Sequence, residues 1–310
     1  MTAGADTGPA AMTQPGYRGR RAPRESRLRL RGLDHRVLEW GPADAQPVVL
    51  LHGYMDCADT FQFLVDLLPE GWRCVAPDLR GFGGTAAIGG PYWFPDYLAD
   101  LEALLDALGP AAPVRLIGHS MGGNIVLQYA GARPERVRSV VALEGFGLPR
   151  TVADEAPSRM RRWLDELREP LKSPRYGSAE QLAANLMRRN PRLPPAHAAF
   201  VAEAWTRPAA EGGRELRFDP WHRLVNPVLY RREETEAMWR AVQAPVLMVL
   251  GGASELLQRL GADGEEPVFR RHLAQVEVTT LPALGHMLHH EDPRPVAEAI
   301  QGWLTRVPAA

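Results

Sequence analysis

Gly118-His119-Ser120-Met121-Gly122-Gly123 follows the apolar run Val114-Arg115-Leu116-Ile117 and precedes the helical pattern Asn124-Ile125-Val126-Leu127-Gln128-Tyr129-Ala130. A strand, a G-x-S-x-G turn and a helix in that order predict a nucleophile elbow. Glycines on both sides of Ser120 allow a turn that bulkier residues would obstruct. The serine hydroxyl is thereby held at the apex, above the carboxyl edge of a sheet. The first turn of the following helix aims free N–H groups and a positive dipole end at the same point. One piece of backbone supplies a nucleophile and part of an anion site.

Outward from this stretch, short apolar runs without alternation recur at Pro47–Leu51, Cys74–Ala76, Val140–Leu143 and Val246–Leu250. Strands buried on both faces by helices have this appearance. Ser26–Arg31 and His35–Trp40 alternate instead, which predicts strands with one solvated face. Helical spacing marks Asp59–Leu68, Asp96–Leu108 and Val296–Leu304. Alternating strands and helices predict an α/β fold with a mostly parallel sheet covered on both sides. The alternation stops between Gly147 and Val242. Helical blocks at Arg159–Arg168, Ala179–Arg189, Pro195–Thr206 and Glu233–Val242 replace it, with no convincing strand among them. The organisation expected is a disordered tail over 1–25, a core over 26–146 and 243–310, and a helical cap insertion over 147–242.

Composition narrows the function classes. In 310 residues with a formal net charge of −1, nothing steers the chain toward nucleic acid or an anionic membrane. The two cysteines, Cys57 and Cys74, give no disulfide framework and suit a reducing compartment. No apolar run approaches the ~20 residues of a membrane helix, and residues 1–23 lack the apolar core of a secretory signal. A cytoplasmic protein acting on a small molecule is the expectation.

A serine needs a base to take its proton, and histidine titrates in the right range. His286, in Leu284-Gly285-His286-Met287-Leu288-His289-His290-Glu291-Asp292-Pro293, is the best placed of nine. It follows the strand pattern Val276–Leu281 and precedes a helix that Asp292 can cap with Pro293 in its first turn. That puts it on the same sheet edge as Ser120. His289 and His290 read as surface or supporting residues. Cys57 has no local base and reads as structural.

His52-Gly53, Asp78-Leu79-Arg80-Gly81-Phe82-Gly83, Gly118–Gly123 and Gly285-His286 occur in an order and spacing that resembles the α/β-hydrolase superfamily, in its capped esterase- and dehalogenase-like branch. The resemblance spans most of residues 26–305. It implies an eight-stranded sheet with one antiparallel edge strand, a helical cap and a triad in the order serine, acid, histidine. It also implies an oxyanion hole from the backbone N–H groups of Tyr54 and Met121. Many members carry the acid three residues past a glycine after the seventh strand. Ser254 stands there, with Glu255 next to it. Glu144 ends the sixth strand, where the dehalogenase-like branch places its acid. A strand end is the stiffer mount, which ranks Glu144 first and Glu255 as the alternative. Phe61, Trp93 and Phe94, with Tyr54 and Met121, are expected to line an apolar substrate pocket.

The chemistry implied is cleavage of a small or medium apolar ester, thioester or lactone through an acyl-enzyme, with no cofactor or metal required. A haloalkane dehalogenase or epoxide hydrolase would need a carboxylate nucleophile. Carbon–carbon bond hydrolysis, acyl transfer on the same triad, and a non-catalytic ligand-binding role are the alternatives.

Overall fold

The computed structural model describes residues 16–307. Its strands are β1 (Arg24–Leu30), β2 (Leu33–Trp40), β3 (Pro47–Leu51), β4 (Arg73–Pro77), β5 (Val114–His119), β6 (Val137–Leu143), β7 (Arg175–Tyr176), β8 (Thr206–Pro208), β9 (Arg214–Leu216), β10 (Val246–Gly251) and β11 (Val276–Leu281). Eight form one sheet in the order β1-β2-β4-β3-β5-β6-β10-β11. Only β2 runs against its neighbours in that sheet, pairing antiparallel with β1 and β4. The antiparallel strand therefore lies one position in from the edge, with β1 outside it.

The unbroken apolar runs follow from burial on both faces. Val49 and Leu51 join Leu116, Ile125, Val126 and Tyr129 on one side of the sheet. Val48 and Leu50, on the same strand, join Ile117, Phe61, Val296 and Ile300 on the other. Each such side chain contributes about 1.5–3 kcal/mol on leaving water. Helices Pro95–Leu108 and Met121–Ala132 cover the first face, and Pro293–Leu304 the second. Gly109, at φ 53°, terminates the first of these in the left-handed conformation that favours glycine. Asp59–Leu68 is less regular than its spacing predicts: a 3-10 turn, Ala58–Phe61, leads into a single α-turn, Gln62–Val65.

Residues 1–15 of the expected tail lie outside the described residues. Residues 16–23 are seated on the body. The Tyr17 hydroxyl donates to Asp66 at 2.7 Å, and the Arg20 and Arg21 amides donate to the same carboxylate at 2.8 and 3.1 Å. One carboxylate thus anchors a segment whose composition alone predicts no structure.

The stretch between β6 and β10 holds helices Ala156–Glu166, Ala179–Arg189, Pro195–Trp205 and Arg232–Arg240. It also holds a small antiparallel sheet, β7-β9-β8, that the sequence pattern does not predict. Strands of two or three residues are too short to show alternation. Their one local signal is Gly212-Gly213, both at positive φ, between β8 and β9. The last helix of the stretch packs on the main body: Trp239 is fully buried in the same core as Ile125 and Tyr129. No helix among the described residues is long and apolar enough to cross a membrane.

β3, β5, β6, β10 and β11 are consecutive neighbours and mutually parallel. Their carboxyl ends form one rim, where ligands meet open α/β sheets.

Candidate active site

Ser120 occupies the turn between β5 and helix Met121–Ala132 with φ 51° and ψ −112°. A non-glycine residue in that region stores strain and needs its surroundings to hold it. Its N–H is pinned to the Leu143 carbonyl at 2.8 Å. A Cβ on Gly118 would come within 2.3 Å of the Gly122 carbonyl oxygen, and one on Gly122 within 2.0 Å of the Leu51 carbonyl oxygen. The two glycines therefore let the helix start close against the ends of β5 and β3.

His286 follows β11. Its Nε2 lies 3.0 Å from Ser120 Oγ, and its Nδ1 lies 3.0 Å from Glu144 Oε2. The imidazole is about one-fifth exposed (21%), and the carboxylate is wholly buried. Glu144 sits just beyond β6 at φ 55°, a second strained non-glycine position. Its Oε1 accepts from Gly251 N–H at 2.6 Å, and its Oε2 also accepts from the Ser254 hydroxyl. Acting as acceptor toward these donors, Glu144 accepts from His286 Nδ1–H as well. That fixes the tautomer that turns the Nε2 lone pair toward Ser120.

Glu255 does not join them. Its side chain is 82% exposed and faces Arg259 one helical turn on. The preceding residue is the one turned inward: Ser254 caps helix Glu255–Arg259 by accepting from Leu257 N–H at 3.3 Å, while its own proton goes to Glu144. The position where many relatives carry the acid thus supports a carboxylate that comes from the neighbouring strand. A hydrogen bond to a charged group is worth about 1.5–3 kcal/mol. Ser254→Ala is therefore expected to lower turnover roughly 10-fold with KM little changed. Ser254→Thr, which keeps the hydroxyl, should recover most of the loss in the same steady-state assay.

The loop after β3 runs beside the nucleophile. A Cβ on Gly53 would stand 3.3 Å from Ser120 Cβ and 2.9 Å from His119 Nδ1. His52 shapes this loop. Its Nε2 accepts from Leu79 N–H at 2.9 Å, leaving Nδ1–H to donate to the Gly53 carbonyl at 2.8 Å. Tyr54 follows, with its ring half exposed and its hydroxyl donating to the His222 carbonyl at 2.6 Å. The His222 ring is stacked between Phe82 and Tyr92, at centroid distances of 3.8 and 3.6 Å. Met121 opens the helix after Ser120, so its N–H is one of the first-turn donors without a helical partner.

The expected pocket residues separate. Phe61 is fully buried in the core and stacks on His289 at 5.7 Å, so it is a packing residue and not a pocket wall. From the 3-10 turn it joins Val48 and Leu50 in the core against the sheet. Trp93 is 60% exposed, and Phe94 packs toward Tyr97. A cleft of about 1080 Å³ lined by Gly81, Gly83, Lys172, Arg217 and Asp219 does not include Ser120 or His286. Cys57 is buried, and burial pushes its thiol well above the usual range, with Asp59 and Asp78 adding to the effect. A thiolate there is disfavoured.

Several contributors had no sequence signal. Glu291 accepts from Gly285 N–H at 2.7 Å, from Asn190 Nδ2 at 2.8 Å and from Arg192 Nε at 2.9 Å, tying the insertion to the His286 loop. His119 Nε2–H donates to the His286 carbonyl at 2.9 Å, linking elbow and base loop directly. His289 and His290 are fully buried, not surface residues.

A family model described as the alpha/beta hydrolase fold matches residues 46–293. The chain belongs to that family. It is similar to a serine hydrolase-like protein of Danio rerio, 30% identical over 294 residues that cover 92% of this chain and 89% of that protein. Among solved structures, a hypothetical protein from Pseudomonas aeruginosa PAO1 aligns with a TM-score of 0.79 at 29% identity, covering 91% of this chain and 99% of that one. The thioesterase domain from the curacin biosynthetic pathway shares the fold with a TM-score of 0.79 at 24% identity, covering 90% and 99% of the two chains.

Proposed function

We propose that the protein is a serine hydrolase that cleaves a small or medium apolar carboxylic ester, thioester or lactone through an acyl-enzyme. The observation that carries this reading is the continuous relay from Ser120 Oγ to His286 Nε2 and from His286 Nδ1 to Glu144, at 3.0 Å for each step. Ser120 attacks the acyl carbonyl as His286 takes its proton. Glu144 holds the ring and stabilises the imidazolium that forms. The N–H groups of Tyr54 and Met121 receive the developing oxyanion, where a single donor is typically worth about 3–4 kcal/mol. His286 then protonates the leaving group. Water, deprotonated by the same ring, releases the acid and restores Ser120.

The insertion is proposed as the cap. It is bonded to two loops of the rim: the loop after β3, at Tyr54 through His222 and at Asp56 through Trp205 Nε1–H at 2.7 Å, and the His286 loop, at Glu291 through Asn190 and Arg192. Helix Ala156–Glu166 buries none of its residues and leaves Met160 and Leu164 exposed, an apolar surface suited to an acyl chain. The test is steady-state hydrolysis of p-nitrophenyl esters of increasing chain length. Turnover is expected to rise with the first added methylenes, each contributing about 0.8 kcal/mol of burial, and to fall once the chain exceeds the pocket. Absence of hydrolysis across the series by folded protein would overturn the assignment.

A further inference from the structure

Beneath the triad lies a group of buried polar atoms that the proposed chemistry does not use. Asp56 Oδ2, His119 Nδ1, both ring nitrogens of His289 and His290 Nε2 are buried and have no hydrogen-bond partner among the described residues. Buried polar groups are ordinarily paired, so a group of such atoms in one place needs an explanation. A carboxylate oxygen of Asp56 and one ring nitrogen each of His119 and His289 lie within 4.8 Å of one another. We propose that Asp56, His119 and His289 bind one divalent transition-metal ion of the zinc class. The ion clamps the loop after β3, the nucleophile elbow and the segment after His286 together.

The surroundings are those of a metal site. A ligating histidine usually donates its other ring N–H to a carbonyl or carboxylate, and a ligating carboxylate is itself held by donors. His119 donates Nε2–H to the His286 carbonyl at 2.9 Å and leaves Nδ1 free. Asp56 Oδ1 accepts from Cys57 N–H at 2.8 Å, Thr60 Oγ1 at 2.9 Å and Trp205 Nε1–H at 2.7 Å, while Oδ2 accepts no hydrogen bond and has the His290 ring beside it. Both residues are thus oriented by one atom and open at the other. Zinc bonds of about 2.0–2.2 Å separate tetrahedral donors by roughly 3.3–3.6 Å, so the donors, now within 4.8 Å of one another, draw closer around the ion. His290 Nε2, 3.4 Å from Asp56 Oδ2 but off hydrogen-bond geometry, is the nearest further donor. A second cluster, Cys57, Asp59 and Asp78, offers no comparable site, because Arg36 already occupies both carboxylates.

The site is independent of the ester-cleaving assignment, and metal content tests it without any activity. Full-length protein is expressed in zinc-supplemented medium, and a second sample is unfolded and refolded with one equivalent of zinc. Both are desalted and analysed by mass spectrometry for metals. About one zinc per chain is expected in the wild type and in His286→Ala, and less than about a tenth of that in Asp56→Asn and His289→Gln. Cobalt substitution of the wild type should give ligand-field absorption of a tetrahedral nitrogen and oxygen site, which keeps the test valid if a variant fails to fold. Negligible zinc in both wild-type samples overturns the proposal and leaves Asp56 with His290 as its neighbour in place of a metal. Zinc retained equally by Asp56→Asn and His289→Gln also overturns it, as does zinc lost from His286→Ala.

Discussion

Glu144→Gln is expected to lower turnover by about 10²–10⁴, while Glu255→Gln stays within about twofold of the wild type, a change too small to register as transition-state stabilisation. Both carboxylate oxygens of Glu144 act as acceptors: Oε1 from Gly251 N–H, Oε2 from Ser254 and His286. An amide offers one oxygen and one NH₂. Whichever way the substituted amide is turned, its NH₂ opposes a donor. If the NH₂ faces His286, the ring flips to the wrong tautomer and the Nε2 lone pair is lost. If it faces Gly251, a buried N–H goes unpaired. Glu255 pairs with Arg259 at the surface, and surface pairs of that kind are worth little. Steady-state kinetics of the two variants, with circular dichroism to establish folding, reads the contrast directly. Equal effects would leave the relay without its third member.

Ser120→Ala is expected to lower turnover by about 10⁴–10⁶, with His286→Ala close to it, because members of one relay fail together and not additively. The loss should be chemical and not structural. Alanine keeps the Cβ that the positive φ already accommodates, and the hydroxyl's partner is His286. The melting temperature should therefore shift by no more than a few degrees while activity disappears. Residual turnover through Cys57 is not expected, because burial keeps its thiol protonated.

Much of this arrangement was legible in the chain itself. Glycines around Ser120 mark a turn whose geometry excludes side chains, and the apolar runs mark strands buried on both faces. Asp292 caps helix Pro293–Leu304 through Arg294 N–H at 3.1 Å, as its position before Pro293 predicts. Glu144 was legible as a carboxylate at a strand end, though the choice against Glu255 depends on which way each side chain turns. The sheet decides that: β6 and β10 are neighbours, so Ser254 and Gly251 face Glu144 while Glu255 points to solvent. Phe61 was misplaced because an aromatic after the β3 loop serves a core as readily as a pocket. Glu291 and His119 bond to partners 101 and 167 residues away along the chain, and no local pattern encodes such pairings. The insertion's small sheet lacks a periodicity to read.

The most direct test of the account is reaction of the native protein with a fluorophosphonate probe, followed by mass spectrometry of the labelled peptide. Stoichiometric labelling on Ser120 is the predicted result, absent in Ser120→Ala and greatly slowed in His286→Ala. Folded protein that refuses the probe, or carries it at another residue, would contradict the claim that this hydroxyl is the activated nucleophile.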